Sequence, residues 1–515
     1  MTVRIVVVGA GPVGIRFAEE LLPLISADRV TVTVIGAETA DPYNRVLIGE
    51  YAAGEVAASE LTLTTAAGLP GVDLRLGARA ERIDREAQRV VLGDGSTIAY
   101  DRLVLATGAR PIIPALDGLH TVGPDGTGLD ARLTAGVCVL RDLSDAAQVR
   151  EVVERGGRVV VLGAGVLGIE LAMLLADAGV TPAVAHFGPI PMPRQLDRGS
   201  ASVLSSALAS AGVTLVPHTR AEGVIVREDE TGERRFRALV SSDAKHIEGD
   251  LLVLSCGVRA RTELAENAGL RVGNGVLVDS ALRSWTDERI HAIGDCAHIA
   301  DPELHLHEKR VPGGPNGLVG PGWRQASWLA ARITAEVTAE LDAEDHAPFP
   351  EDQPGVVVLK GELVDLVSAG DVSADPFAPV PAGEDAPGIA VWADPEHGTY
   401  VKMATRGGVL TGFVAVGMPR TAAELSVLYL RGGELPADRS LLLRLDDADE
   451  VEPVSGRDAT LCICNDVTVG QVEDAIDDGC GTVAEVGGCT RAGTGCGGCR
   501  ARIAELVHAH AAATA

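Results

Sequence analysis

The sequence predicts an α/β fold in which one Rossmann-like unit is used twice, followed by a small α+β unit and a small helical, cysteine-bearing tail. Three observations predict it. Gly9-Ala-Gly11-Pro-Val-Gly14 follows directly on the apolar run Val3 to Val8, and Gly163-Ala-Gly165-Val-Leu-Gly168 follows on Arg158 to Leu162. Leu103-Val-Leu-Ala-Thr-Gly-Ala-Arg110 lies about as far beyond the first fingerprint as Leu252-Val-Leu-Ser-Cys-Gly-Val-Arg259 lies beyond the second, and both read LVLxxGxR. The tail carries Cys462-x-Cys464 and Cys496-x-x-Cys499.

A dinucleotide pyrophosphate needs a tight turn, a backbone close enough to touch it and a helix N-terminus aimed at its charge. Glycines spaced as GxGxxG between a strand and a helix supply the first two, and the helix supplies the third. Two such fingerprints, each with its own matched octet, predict two bound dinucleotides on two copies of one fold. The expected organisation is a first dinucleotide domain over 1–110 and 256–334, interrupted by a second over 111–255. A small α+β domain (335–445), a linker (446–459) with an acidic run, and a metal-binding module (460–511) follow. Within 335–445 the expected elements are Val356 to Val367, Gly388 to Val391, Thr399 to Ala404, Gly412 to Val416 and a helix from Thr421 to Leu430.

The chain of 515 residues has a net charge of −28, from 44 basic and 72 acidic side chains, which argues against nucleic-acid or anionic-membrane binding. No apolar stretch is long enough to span a bilayer, and the first strand begins by residue 3, so a cytoplasmic location is expected. Six of the nine cysteines fall in the last 54 residues, a distribution that points to metal rather than a disulfide framework.

Past the first fingerprint, the strand Val30 to Ile35 leads to Glu38, placed to accept hydrogen bonds from a ribose. Thr286-Asp-Glu-Arg-Ile-His-Ala-Ile-Gly-Asp295 resembles the second flavin motif of the two-dinucleotide-domain reductases, and the resemblance implies that Asp295 holds the ribityl chain of FAD. With Gly9, Gly11, Gly14, Thr107 and Gly108 in that family's order and spacing, the first dinucleotide is expected to be FAD. Asp41-Pro-Tyr-Asn-Arg45 resembles the family's Tyr-x-Arg element, which implies that Arg45 touches the flavin cofactor. Gly317 to Ala326 reads as a loop feeding a helix that continues through Ala331. In the family its N-terminus faces the pyrimidine side of the flavin, where its dipole would favour the anionic reduced ring by about 1 kcal/mol.

The second unit is expected to bind NAD(P)H through Gly163, Gly165, Gly168 and Gly257. Its second strand, Thr181 to Phe187, ends at His186, where an NADH-selective enzyme usually places an acid and no arginine follows at once to receive a 2′-phosphate. NADH is favoured by the family resemblance below rather than by these residues. Glu170 either reaches the nicotinamide amide or is an ordinary helix glutamate. Residues 38–60 contain no cysteine, and Cys138, Cys256 and Cys296 read as buried or incidental, so electrons are expected to leave elsewhere.

Four thiolates in two close pairs, Cys462/Cys464 and Cys496/Cys499, can hold an iron–sulfur cluster or structural zinc. Their spacing resembles the bacterioferritin-associated-ferredoxin-like [2Fe–2S] module. Between the pairs, Thr468-x-x-Gln471 and Thr482-x-x-Glu485 both fit capping boxes, and Cys480 and Cys489 are left over.

Taken whole, the chain resembles the N-terminal half of the NAD(P)H-dependent assimilatory nitrite reductase large subunit and the electron-transfer subunit of assimilatory nitrate reductase. Tyr43-Asn-Arg45, Met192-Pro-Arg-Gln-Leu-Asp197, Gly317 to Gly322, Cys462 to Thr468 and above all Thr490-Arg-Ala-Gly-Thr-Gly-Cys-Gly-Gly-Cys499 carry the resemblance. It implies a relay from NADH through FAD and a [2Fe–2S] cluster to the catalytic subunit of assimilatory nitrate (or nitrite) reductase, with no catalytic acid–base residue of the protein's own. The full nitrite reductase continues into a sirohaem and [4Fe–4S] domain that this sequence does not contain, so the separate electron-transfer subunit is the closer expectation. A reductase of a ferredoxin, a rubredoxin or a separate nitrite reductase subunit, and a redox-sensing docking module, are the other readings.

Overall fold

The computed structural model describes residues 2–26, 28–120, 132–228, 232–305, 308–338, 347–350, 355–359, 364–377, 387–446, 456–462, 465–495 and 497–514. β-Branched runs buried on both faces form two parallel sheets of five strands each. The first is ordered Ile290–Ala292, Arg102–Leu105, Val3–Val8, Val30–Ile35, Val72–Arg75. The second is ordered Val137–Cys138, Leu251–Leu254, Val159–Leu162, Ala183–Ala185, Thr214–Val216. Each fingerprint thus sits at the end of a central strand, and each octet supplies the strand beside it. Each unit also carries a three-stranded antiparallel meander, Ala80–Asp84 with Arg89–Leu92 and Thr97–Ala99 in one, Ala221–Glu228 with Arg234–Ser241 and His246–Glu248 in the other.

The ends of the two octets meet. Ala109–Pro111 and Val258–Ala260 form an antiparallel ribbon with Arg110 opposite Arg259, where the chain leaves and re-enters the first unit. The segment after Val30–Ile35 crosses to the second unit, where Tyr43, Leu47, Ile48, Ala52 and Leu61 join a core with Val149, Leu171 and Leu175.

The following region folds as a five-stranded antiparallel sheet, Val356–Leu359, Leu366–Gly370, Val409–Val416, Thr399–Arg406, Gly388–Asp394, covered by the helix Pro419–Arg431. The apolar run expected from Val356 to Val367 is two paired strands rather than one, with Val356 opposite Ala369. This sheet docks on the second unit through a buried charge. Lys402, 1% exposed, puts Nζ 2.9 Å from Asp197 Oδ2, and Tyr400 donates its hydroxyl to the same oxygen at 2.7 Å. Asp197 also caps the helix Arg198–Ser210. Burial works against its ionisation, but the Ser200 amide, Tyr400 and Lys402 outweigh it and hold the carboxyl below its ordinary range.

The tail module has a core of its own, in which Val472, Ile476, Val486 and Ile503 pack the helices Val469–Asp477, Val483–Thr490 and Arg500–Thr514. Thr468 makes the expected reciprocal box with Gln471. Thr482 makes only half of one: it accepts from the Glu485 amide, while the Glu485 carboxylate takes the N–H of Gly481 instead. The helix expected to continue through Ala331 does so and runs on to Thr338, with Ile333 buried on the same apolar stripe as Leu329 and Ala330. Among the described residues, no helix is long and apolar enough to cross a membrane.

Candidate functional site

The two glycine fingerprints adopt the same geometry. Gly9 and Gly163 have φ of 123° and 119°, a region unfavourable to residues with a Cβ. A Cβ on Gly9 would strike the carbonyl of Ala106, and one on Gly163 that of Ser255, so the turn lies flush against the octet strand. A Cβ on Gly14 would strike the Gly9 carbonyl, and one on Gly168 the Gly163 carbonyl. Gly11 and Gly165 are different, since a Cβ there would meet nothing within 4 Å. Both are N-caps, of the helices Pro12–Leu21 and Val166–Asp177, without a side-chain capping bond. The helix ends therefore face open space with uncapped N–H groups, as a pyrophosphate requires.

Around the first cradle, Glu38 accepts the hydroxyl of Tyr43 at 2.7 Å and pairs with Arg45, whose guanidinium stacks over Tyr43 and donates to the Arg141 carbonyl at 2.9 Å. Each Glu38 oxygen keeps a lone pair for a ribose hydroxyl. Asp295 lies 3.8 Å from Arg141; burial pushes its carboxyl up, and Arg141 pulls the other way. Gly294 donates to Gln325 at 2.7 Å, and a Cβ on Gly322 would press on Val13 at 2.7 Å. The helix Val319–Thr338 thereby sets its first turn against both the fingerprint and Gly294-Asp295. Thr107 spends its hydroxyl on the Arg261 carbonyl at 3.0 Å, and Arg261 donates back to the Gly108 carbonyl at 2.9 Å.

The second cradle is more open. Leu167, 66% exposed, and Phe187, 71% exposed, stand beside the fingerprint helix and beyond the strand end. His186 is buried; burial and then His218 push its pKa down, against a hydrogen bond to the Gly188 backbone. Glu170 lies half-buried on the fingerprint helix, and Gly257 (φ 92°) turns beside Ile112. Cys138 and Cys296 are buried, and Cys256 is half-buried.

Of the four tail cysteines, Cys464 and Cys496 lie outside the described residues. Cys462 and Cys499 are buried in the module core. The Gly493 amide donates to Cys499 Sγ at 3.2 Å and Asn465 Nδ2 approaches Cys462 Sγ at 3.8 Å. N–H donors aimed at sulfur fit thiolates that carry charge on a cluster.

The module seats on the first unit through residues for which spacing in the sequence gives no signal. Asn44 donates to the carbonyls of Thr494 (2.7 Å) and Gly495 (2.8 Å). Arg16 donates to Asn465 Oδ1 at 2.7 Å and stacks on Trp323, while Asn465 donates to the Arg491 carbonyl at 2.8 Å. Arg491 pairs with Glu20 at 2.5 Å. A cavity of about 470 Å³, lined by Pro12, Arg16, Asn44, Trp323, Arg491 and Thr494 among others, runs along this seam.

Residues 3–314 match the family described as pyridine nucleotide-disulphide oxidoreductase, and the chain belongs to that family. It is an NAD(P)H-dependent flavoprotein oxidoreductase with an FAD/NAD(P)-binding domain, and residues 460–509 match the BFD-like [2Fe–2S] binding domain. The chain is 27% identical over 507 residues to the assimilatory nitrate reductase electron transfer subunit of Bacillus subtilis (strain 168), covering 98% of this chain and 59% of that one. It is 30% identical over 524 residues to the nitrite reductase (NADH) large subunit of Escherichia coli (strain K12), covering 99% and 56%. The chain thus spans a little over half the length of these relatives. A covalent putidaredoxin reductase–putidaredoxin complex shares its fold, with a TM-score of 0.68 at 23% identity over 85% of this chain and 95% of that one.

Proposed function

We propose that the chain is the electron-transfer component of an assimilatory nitrate reductase, taking electrons from NADH and delivering them through a [2Fe–2S] centre to the catalytic subunit. The observation that carries this reading is the seating of the cysteine module on the flavin-type cradle by Asn44 and Arg16. When bound, FAD supplies two-electron acceptance from a nicotinamide and one-electron release to iron. The chain's own residues bind and orient. Gly9, Gly11 and Gly14 admit the FAD pyrophosphate, Glu38 and Arg45 flank its ribose, Thr107 and Gly108 offer backbone, and Asp295 takes the ribityl chain. Gly163, Gly165, Gly168 and Gly257 admit the nicotinamide dinucleotide, with Glu170 on the adjoining helix. Cys462, Cys464, Cys496 and Cys499 would ligate the cluster, with Gly493 and Asn465 donating towards sulfur. The proposed acceptor is supported by the names of the relatives, which are matched along nearly the whole of this chain.

A second reading, a reductase of a diffusible ferredoxin or rubredoxin, is favoured by the 31% identity to rhodocoxin reductase of Rhodococcus erythropolis, which covers 58% of this chain. NADH oxidation measured with purified nitrate reductase catalytic subunit, and separately with ferredoxin, distinguishes them. Saturable oxidation that depends on the catalytic subunit and disappears in Cys496→Ser is expected. Equal rates with ferredoxin would favour the second reading, and binding without flux would favour a sensor.

A further inference from the structure

Asn44 is 2% exposed and lies between Tyr43 and Arg45, the two residues bound to Glu38 at the first cradle. Its carboxamide is fully directed. Oδ1 accepts the Val46 amide at 3.0 Å, which fixes the plane and leaves both Nδ2 hydrogens pointing at the module. Those hydrogens go to two successive carbonyls, Thr494 and Gly495. The carbonyl carbon of Gly495 is bonded to the nitrogen of Cys496, so a single hydrogen bond joins the flavin-side loop to the backbone of a cluster cysteine. Around it the seam is cavity-lined, and the module's apolar core is separate from those of both units, with Leu47 approaching Gly497 across the seam. Directed bonds from Asn44, Arg16 and Arg491 therefore carry much of the alignment. Asn44 is the buried one, with both amide hydrogens used.

We propose that Asn44 is the positioning residue for electron passage between the two centres, holding the Thr494–Gly495 loop at a fixed distance from the flavin side. A chain of covalent and hydrogen bonds couples redox centres better than a gap of the same length, and a loosened seam lengthens that gap. The proposal rests on the electron-transfer reading above.

The test compares wild type with Asn44→Ala and Asn44→Asp, the latter keeping the shape while losing both donors and facing two carbonyls with a charge. In anaerobic stopped-flow with NADH, flavin bleaching is expected to stay within twofold of wild type while cluster reduction, followed by its visible absorbance, slows at least tenfold. In cofactor-free protein, hydrogen exchange across residues 491–495 is expected to speed at least fivefold in Asn44→Asp. Cluster reduction at the wild-type rate, or unchanged exchange, overturns the proposal. Loss of flavin from both variants also overturns it, because Asn44 would then serve the cradle rather than the seam. If wild type bleaches its flavin but never reduces its cluster, the electron-transfer reading fails instead.

Discussion

The two dinucleotide units share the order of four of their five sheet strands, a fingerprint geometry and an open middle glycine, yet their surroundings differ in kind. The first cradle is enclosed: Glu38, Arg45, Arg141 and Asp295 converge on it, the helix Val319–Thr338 packs against it, and the cysteine module seats beside it. The second presents exposed Leu167 and Phe187. The contrast fits the proposed division of labour, in which the enclosed site would keep its flavin cofactor and the open site would exchange a nicotinamide dinucleotide between turnovers.

The largest expected effect comes from adding a side chain to the third glycine of each fingerprint. Gly14→Val forces a side chain into the Gly9 carbonyl and is expected to abolish flavin retention, seen as a flavin-to-protein ratio near zero after desalting. Gly168→Val, with the matching clash, is expected to keep the flavin and raise the KM for NADH at least a hundredfold. Equal flavin loss in both would erase the distinction between the units.

The second unit is held by the α+β sheet through Lys402, Asp197 and Tyr400. Asp197→Asn removes the carboxylate hydrogen-bonded to the buried Lys402 ammonium, which is expected to cost about 3–5 kcal/mol of stability by chemical denaturation. Asp197 has a depressed pKa in the fold, so its contribution is present above the unfolded carboxylate pKa and lost as pH falls through the folded value.

The first unit holds a different titrating group. His291 on its edge strand is pushed down to about 3 by burial and then by Arg102, Arg283 and Arg332, against the Leu282 backbone. It stays neutral in the fold while the unfolded chain binds a proton below about 6.5. Stability is therefore expected to fall as pH drops from that value, by at most about 1.4 kcal/mol per pH unit. His291→Phe should flatten the profile there, and an unchanged profile would remove the assignment.

The smallest effect sharpens the open site. Phe187→Ser is expected to raise the KM for NADH about threefold, roughly 0.7 kcal/mol of lost apolar cover, with flavin content unchanged. A shift in flavin content would place Phe187 in the wrong unit.

What the sequence made legible and what it hid divide along a physical line. Gly9, Gly163, Gly14 and Gly168 were readable because the turns leave no room for a Cβ, a local constraint that leaves a local signature. The octets were readable because buried parallel strands demand unbroken apolar runs. Asn44 meeting Thr494, and Lys402 meeting Asp197, were not, since no spacing or periodicity says which distant segments touch. Tyr43-Asn-Arg45 and Met192 to Asp197 stood out only as segments carrying a resemblance. Glu485 misled for a smaller reason: its carboxylate found the Gly481 amide before that of its own cap.

The most direct test of the electron route is the content and reduction of the tail site in protein purified without air. About two irons and two sulfides per chain are expected. NADH is expected to bleach the flavin and then elicit the low-temperature paramagnetic signal of a one-electron-reduced cluster, which Cys496→Ser abolishes together with acceptor reduction. Zinc in place of iron, with Cys496→Ser still driving its acceptor at full rate, would contradict that route.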